Sequence, residues 1–440
     1  MKMGYLEGFK YKIFRLQELK ESDEFLLYHT ERKHYHQFNY KRLIEILIKK
    51  LSKEIKLLEF CQDFTNKGYD VIKKRAIDPK ILIFETIVNE EYELIDNLNY
   101  KPNDELIFEE DGKFYFNTYK KSKLLSENMK DRDIKFPLIK KLIDNLVSNN
   151  EKESEYLIKW IAWQIQNPLK RLPTSIILQG EPGTGKTKFC ELVLKPIFEN
   201  NFCEIGQSDI NKEYNDYILG KQLIVANEVI HNDNKYLVPD KLKNYVTDEY
   251  LSINRKFKDT IYVRNYSQWI FVTNNQIPLK IERGDRRYSV FQSKKLLNGR
   301  NLIKSLIEKH DIEIRNFIHY LKTLEVNYDE IDSPIENEAK EDLIKASYNS
   351  VQEFYHYIID DLGGIDKISE NFNVDINILN KLDKNFIITN DLFKVYCLYC
   401  QDVGYSPSSK THFTRTLKQF NLRSETQRIE GKTQRVLVIQ

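Results

Sequence analysis

The chain has 440 residues, 30% charged and 41% hydrophobic, the balance of an ordinary water-soluble globular protein, and its length predicts two to four domains rather than one core. Five cysteines in so long a chain exclude a disulfide framework, and no stretch approaches the ~20 apolar residues of a membrane span. A formal net charge of +2 discriminates little, because acids and bases nearly cancel, so their distribution matters more than their sum.

The opening MKMGYLEGFKYKIFRLQ carries charges every few residues, so no signal peptide is expected and a cytoplasmic location is. Residues 38–60 have helical periodicity through Leu43, Ile44, Leu47, Leu51, Ile55 and Leu58. LIFEEDGKFYFNTY, 106–119, reads as two short strands about an Asp-Gly turn. Asp131 and Asp133 have the spacing of a paired-carboxylate motif but sit in a polar, loop-like stretch. Two amphipathic helices follow, around 138–146 and 154–166, suited either to simple packing or to a subunit-contacting collar.

Residues 175–178 form a short buried strand running into Gly180, Glu181, Pro182, Gly183, Thr184, Gly185, Lys186 and Thr187. This is the G-x-x-x-x-G-K-[ST] pattern. Its glycines let consecutive N–H groups face phosphates, and the following helix, from Lys188, points its positive end at them. Lys186 is expected to reach the β- and γ-phosphates and the Thr187 hydroxyl to ligate magnesium. The alternative is a glycine-rich turn without nucleotide.

LIVA, 223–226, is a second buried strand, ending in Asn227 and Glu228. A carboxylate at that position can polarise an attacking water or hold the metal, which makes Glu228 the expected general base and a metal ligand. Residues 250–263 read as a β-hairpin whose tip is Arg255, Lys256, Phe257 and Lys258. An aromatic between lysines suits phosphate contacts plus stacking on a single strand, although basic tips are usually just solvated turns. WIFVT, 269–273, is a third buried strand, after which Asn275 can orient water near a γ-phosphate. Arg286 and Arg287 then follow, either as an arginine finger for a neighbouring subunit or as a surface ion-pair site.

Taken in order, GEPGTGKT, LIVANE, NRKFK, IFVTNN and GDRR resemble a superfamily 3 helicase, a branch of the AAA+ ATPases. The set is similar to poxvirus and satellite-phage primase–helicases and, in layout, to replication initiators of staphylococcal pathogenicity islands and cassette elements. The resemblance implies an α/β fold with an AAA+ P-loop ATPase core, a mixed α+β N-terminal domain, a helical collar and a C-terminal winged helix. It implies ATP and Mg²⁺ as cofactors and residues 180–188 with Asn227 at the nucleotide, Asn227 standing where many members carry a second acid. Arg286 is the first choice of finger and Arg287 the second, in a homo-oligomeric ring, a hexamer, that travels 3′→5′ on single-stranded DNA.

In the tail, 374–382, 390–401 and 408–420 read as helices and 424–429 and 434–439 as strands, the last four in the order of a winged helix. Cys397 and Cys400 form a lone C-x-x-C better read as a helix face than as zinc ligands. Lys410, Arg415, Lys418, Arg428 and Lys432 give an excess of positive charge suited to duplex DNA, such as an origin, or simply to a solvated face.

The expected division is 1–132 N-terminal domain, 133–170 collar, 171–325 ATPase core, 326–380 connector and 381–440 winged helix. The expected activity is an ATP-driven replicative DNA helicase, with any primase or polymerase on a separate chain. The rival expectations are an origin-binding initiator that uses ATP as an assembly switch, an RNA-directed superfamily 3 ATPase, and a small-molecule kinase that leaves the basic hairpin and tail unexplained.

Overall fold

The computed structural model describes residues 11–16, 24–51, 92–127, 134–228, 237–275, 281–294, 300–358, 386–420, 422–429 and 431–439. The expected helix at 374–382, the pair Asp131 and Asp133, and residues 276–278 lie outside them, as does the helix after Leu51.

Strands β1 (Tyr11–Leu16), β2 (Glu24–His29), β3 (His34–Asn39) and β4 (Tyr92–Ile95) form a sheet of order β3-β2-β1-β4. Helix α1 (Tyr40–Leu51) follows β3. It starts two residues later than periodicity suggests, because Phe38 belongs to β3 and pairs with Phe25 of β2. A second sheet, β5 (Asn97–Asn99), β6 (Ile107–Glu110) and β7 (Lys113–Asn117), has the order β5-β7-β6 with its turn at Asp111 and Gly112. Phe14 and Phe116, both fully buried, meet edge to face at 5.2 Å and join the two sheets. Tyr100 anchors this region to the rest. Its hydroxyl donates to Asn201 Oδ1 at 2.9 Å, and its ring lies where a Cβ on Gly220, at φ +67°, would approach within 3.3 Å.

The central sheet is wholly parallel, in the order β14-β8-β13-β10-β9. Its members are β8 (Ser175–Gly180), β9 (Phe202–Gly206), β10 (Leu223–Asn227), β13 (Gln268–Thr273) and β14 (Tyr288–Ser293). Parallel strands covered on both faces read as continuous apolar runs, as IIL, LIVA and WIFV do. Alternate residues then go to opposite cores. Ile176, Leu178, Val225, Ile270 and Phe291 join one, and Ile177, Ile224, Ala226, Phe271 and Val290 the other.

The first core also takes the buried faces of α2 (Pro137–Leu146) and α3 (Glu151–Gln166). These helices therefore pack on the sheet. Buried Glu313 caps α2, its Oε2 accepting from the N–H groups of Leu138 (3.0 Å) and Ile139 (3.1 Å). Helix α4 (Lys186–Phe189) continues through a π-turn, Cys190–Leu194, to Phe198. Helix α5 (Leu237–Thr247) precedes the antiparallel hairpin of β11 (Tyr250–Arg255) and β12 (Lys258–Arg264). Beyond β14 come α6 (Arg300–Glu308), α7 (His310–Thr323), α8 (Glu338–Ala346) and α9 (Ser350–His356). The end of the chain holds α10 (Thr389–Asp402) and α11 (Lys410–Leu417) with an antiparallel sheet of β15 (Phe386–Ile388), β16 (Leu422–Ile429) and β17 (Lys432–Ile439). Val351 and Phe354 of α9 share a core with Tyr396, Phe413 and Leu437. Among the described residues no helix is long and apolar enough to cross a membrane.

One side chain ties the base of the hairpin to the sheet. Arg171 donates to the carbonyls of Ser267 (3.0 Å), Asp248 (2.7 Å), Tyr245 (3.3 Å) and Val246 (2.6 Å), and its burial lowers the guanidinium pKa to about 10. These are the open carbonyls at the end of α5 and beside the start of β13. Arg171→Ala should destabilise the fold by about 3 kcal/mol, read by urea denaturation, because charged hydrogen bonds are lost and, although Asn265 still serves Tyr245 and Asp248, the Val246 and Ser267 carbonyls lose this donor. Arg171→Lys should not restore it, since one ammonium cannot span the fork of acceptors a guanidinium reaches.

Candidate functional site

The C-terminal edge of the parallel sheet gathers three chain segments, because β8, β10 and β13 all end there. After β8, Gly183 (φ 88°) and Gly185 (φ 99°) take left-handed conformations that curl residues 180–187 into a loop, and Gly185 caps α4. Gly180, at φ +152°, lies so close to β14 that a Cβ would stand 2.7 Å from the Ser293 carbonyl oxygen. The loop is braced from within by Thr184 Oγ1 donating to Glu181 O (3.0 Å) and from outside by Asn145 Nδ2 donating to Thr184 O (2.8 Å). Ser293 Oγ in turn donates to Asn145 O (2.7 Å), so α2, β14 and the loop are fastened together.

Lys186, expected to extend toward phosphates, is turned into its own loop. Its ammonium donates to Gly180 O (2.6 Å), Glu181 O (3.0 Å) and Thr184 Oγ1 (3.1 Å). Burial lowers its pKa, and the carboxylates of Glu228 and Glu181 work in the opposite direction. Thr187 is exposed, and Lys188 pairs with Glu191 at 2.6 Å.

At the end of β10, Glu228 adopts φ 50°, a conformation uncommon outside glycine, and its N–H donates to Val272 O at 2.8 Å. Its carboxylate Oε1 accepts from Asn274 Nδ2 at 2.7 Å. Sequence reasoning missed Asn274. Of the two amides at the end of β13 it is the one that touches the acid, a choice made by strand alternation and the turn beyond it. Asn275 is held by its backbone, with Gln179 Nε2 donating to its O (2.9 Å) and its own N–H donating to Thr273 Oγ1 (3.0 Å). Its buried Nδ2 has no hydrogen-bond partner among the described residues. Asn227 Nδ2 bonds Glu204, which draws it toward β9.

A hydroxyl from Thr187 and a carboxylate from Glu228 are hard oxygen donors that suit magnesium, which uses few protein ligands alongside substrate phosphates. No cluster of three or more metal-ligating side chains occurs among the described residues, so an all-protein metal cage is not what these residues offer. Cys397 and Cys400 lie on α10, Cys400 in its core.

The structure does not bring Arg286 and Arg287 to this edge. They precede β14, whose first residue pairs with Ser175 at the start of β8. They therefore sit at the opposite edge, about 20 Å away for a strand of this length. Arg287 is fixed to Asp285, its Nε donating to both carboxylate oxygens at 3.2 Å, and that ion pair raises its pKa. Arg286 is exposed.

At the hairpin tip, Phe257 is 91% exposed with φ 58°, and the Lys256 ammonium stands 5.1 Å from the centre of its ring. Arg255 bends back, donating to Asp259 O at 3.1 and 2.8 Å, whereas Lys256 and Lys258 are exposed. In the tail, Lys410, Arg415, Lys418, Arg428 and Lys432 are all exposed, with Lys410 bonded to Asn390.

Comparison with known proteins gives three findings. A family of unknown function (DUF5906) matches residues 178–287, which hold the loop, Glu228, both asparagines and the hairpin. The DNA primase-polymerase of Nitratiruptor phage NrS-1 is 28% identical over 269 residues, 59% of this chain. The matched part is only 36% of that protein, so the chain spans about a third of its length. The apo structure of the NrS-1 C-terminal region (305–718) superposes with a TM-score of 0.72 at 20% identity, over 99% of this chain and 97% of that one. A second apo form of the same region gives 0.71, over 99% and 98%. At that identity the likeness shows the fold: a mixed α/β architecture on a parallel sheet.

These findings correct the family expected from motif order. The likeness is to a DNA primase-polymerase and, in fold, to its C-terminal region. The superfamily 3 AAA+ helicase is set aside with its AAA+ core, collar and winged-helix description, hexameric ring, 3′→5′ unwinding and mobile-element initiator role. The initiator-switch and RNA-directed alternatives go with it. The physical reason is that a glycine loop, a strand-end acid and a basic hairpin report on phosphates and charge, which many families share. Their order does not fix which enzyme they serve.

Asn145→Ala should cost about 1 kcal/mol, the worth of a neutral hydrogen bond. Hydrogen exchange should quicken at the amides of residues 183–186, with β10 and β13 unchanged.

Proposed function

We propose that this chain is the nucleotide-binding, DNA-holding region of a DNA-replication enzyme of the primase-polymerase kind, working in the cytoplasm. The observation that carries the reading is the convergence of loop 180–187, Glu228 and the amides of Asn274 and Asn275 at one edge of the parallel sheet. On this reading the backbone of Gly180, Glu181, Pro182, Gly183, Thr184 and Gly185 cradles the phosphates of ATP at the start of α4. Lys186 exchanges its three loop oxygens for phosphate oxygens when nucleotide arrives. Thr187 and Glu228 are the residues that would hold magnesium, which would supply neutralisation of the phosphate charge. Glu228 accepts the proton of the attacking water while Asn274 aims its carboxylate, and Asn275 offers its unpartnered amide to the same water or to the γ-phosphate.

An arginine reaching this site comes from a second copy, because Arg286 and Arg287 of the same chain lie at the far edge; exposed Arg286 is the better candidate, Arg287 being committed to Asp285. DNA phosphates are met by Lys256 and Lys258 at the hairpin and by Lys410, Arg415, Lys418, Arg428 and Lys432 in the tail, with Phe257 stacking on a base. Nucleotide at the sheet edge then sets the grip on a template strand during primer synthesis. The name of the NrS-1 relative couples priming and polymerisation in one protein, which favours a primase linked to this region over a wholly separate one.

The test is binding of a fluorescent ATP analogue and phosphate release, with magnesium and with or without single-stranded DNA. Lys186→Ala should weaken binding by roughly 10- to 150-fold, equivalent to losing ~1.5–3 kcal/mol of charged hydrogen bonding. Glu228→Gln should bind normally but release phosphate about 100-fold more slowly or worse. Unchanged binding by Lys186→Ala overturns the reading. Burial lowers the Lys186 pKa, so the ammonium that binds phosphate is lost at a lower pH than the ~10.4 of a free lysine. Affinity should therefore fall as pH rises toward that value, and this dependence should be absent in Lys186→Ala.

A further inference from the structure

The hairpin β11–β12 has two unlike faces. Leu251 and Ile253 point inward and are 4% and 0% exposed, joined by partly buried Ile261 and Val263 in the second core of the sheet. The residues between them point outward, and two are large aromatics: Tyr250 is 40% exposed and Tyr262 is 74% exposed. The register pairs Tyr250 with Arg264 and Ser252 with Tyr262, so the two tyrosines are diagonal neighbours across the strands. Their rings stack at 5.4 Å with an interplanar angle of 14°. Two phenol rings left in water beside one another, on a strand pair whose other face turns toward the second core, form a flat π surface that the fold itself does not cover.

We propose that this outward face is a base-stacking platform for single-stranded DNA, centred on the Tyr250–Tyr262 pair. The proposal rests on the DNA-holding part of the function above and assigns residues that the charged tip does not include. Charge selects the occupant. Between Glu249 and Arg264 the hairpin carries Arg255, Lys256, Lys258 and Arg264 against Glu249 and Asp259, an excess of positive charge beside exposed rings. A cationic ribbon with open aromatic faces suits a strand whose bases are unstacked, whereas a duplex keeps its base faces covered. From Phe257 to Tyr262 the strand runs about 17 Å, so the tip and the platform would meet different nucleotides of one strand. Tip and platform would then hold one continuous segment, Phe257 at one end and the tyrosine pair at the other.

The experiment is fluorescence anisotropy of labelled oligo-dT with the full chain across a salt series. The variants are Tyr262→Ala, Tyr250→Ala with Tyr262→Ala, Tyr262→Phe, and Lys256→Ala with Lys258→Ala. Removing Tyr262 should weaken binding about tenfold and leave the salt slope unchanged, because stacking releases no counterions, while Tyr262→Phe binds as wild type. The lysine pair should instead lower the slope of log K against log salt by about 0.7 for each phosphate that is no longer neutralised. Wild-type affinity in both tyrosine-to-alanine variants, with the lysine effect intact, overturns the platform. So does a change in sedimentation of those variants at unchanged DNA affinity, which makes this face an interface between copies of the chain. No binding of oligo-dT by the wild type sinks the DNA-holding reading itself, a separable failure because nucleotide binding is measured independently.

Discussion

The register in which β8, β10 and β13 lie side by side is the constraint on which the chemistry depends. Ile177 pairs with Phe271, and Phe271 with Ala226, so the three strands end within a residue or two of one another. That shared edge puts the glycine loop, Glu228 and the two asparagines in one place although they are far apart in sequence. A slip of one residue would send every side chain of a strand into the opposite core. The loop itself is set by close approach. Gly180 lies against Ser293 without room for a side chain, and Asn145 holds both Thr184 and Ser293, so β14 and α2 fix where the loop stands.

The same parallel order separates two groups of residues by the length of a strand. The glycine loop, Glu228 and the two asparagines collect at the C-terminal edge. The base of the hairpin, Arg171 and the arginine pair before β14 collect at the other. Strand β13 spans the distance directly: its first residues follow the Asn265 and Ser267 turn that Arg171 grips, and its last lead into Asn274 and Asn275. Every residue of β13 is buried. A strand so enclosed is a stiff link between Asn274, which bonds Glu228, and the turn at the base of the hairpin.

Much of this layout was legible in the chain. IILQG, LIVAN and QWIFVT are apolar runs of strand length, and two alternating segments around RKFK announce a hairpin. What escaped depended on pairings distant in sequence. The pairing of Ile13 with Tyr92 leaves no local trace, so the N-terminal sheet was invisible beyond scattered helical and turn signals. Asn274 and Asn275 are chemically identical at the level of sequence, and only the turn after β13 decides that the first meets Glu228. Arg286 and Arg287 follow Asn275 closely in sequence, which suggests nearness to the loop. The direction of β14 places them at the far edge instead.

The family was the least legible part, and the reason is chemical. A phosphate wants backbone N–H groups, a lysine and a magnesium-bound hydroxyl whatever enzyme it belongs to, so evolution repeats that arrangement across unrelated tasks. Around the shared residues stands a larger frame: the N-terminal sheets are anchored through Tyr100 and Asn201, and α9 to α11 with their three-stranded sheet close around Phe354, Tyr396 and Phe413. Loop, sheet and frame together superpose on the NrS-1 C-terminal region along almost the whole chain. A short motif therefore reports a local chemistry, whereas the fold is identified only by the arrangement of elements over the whole chain.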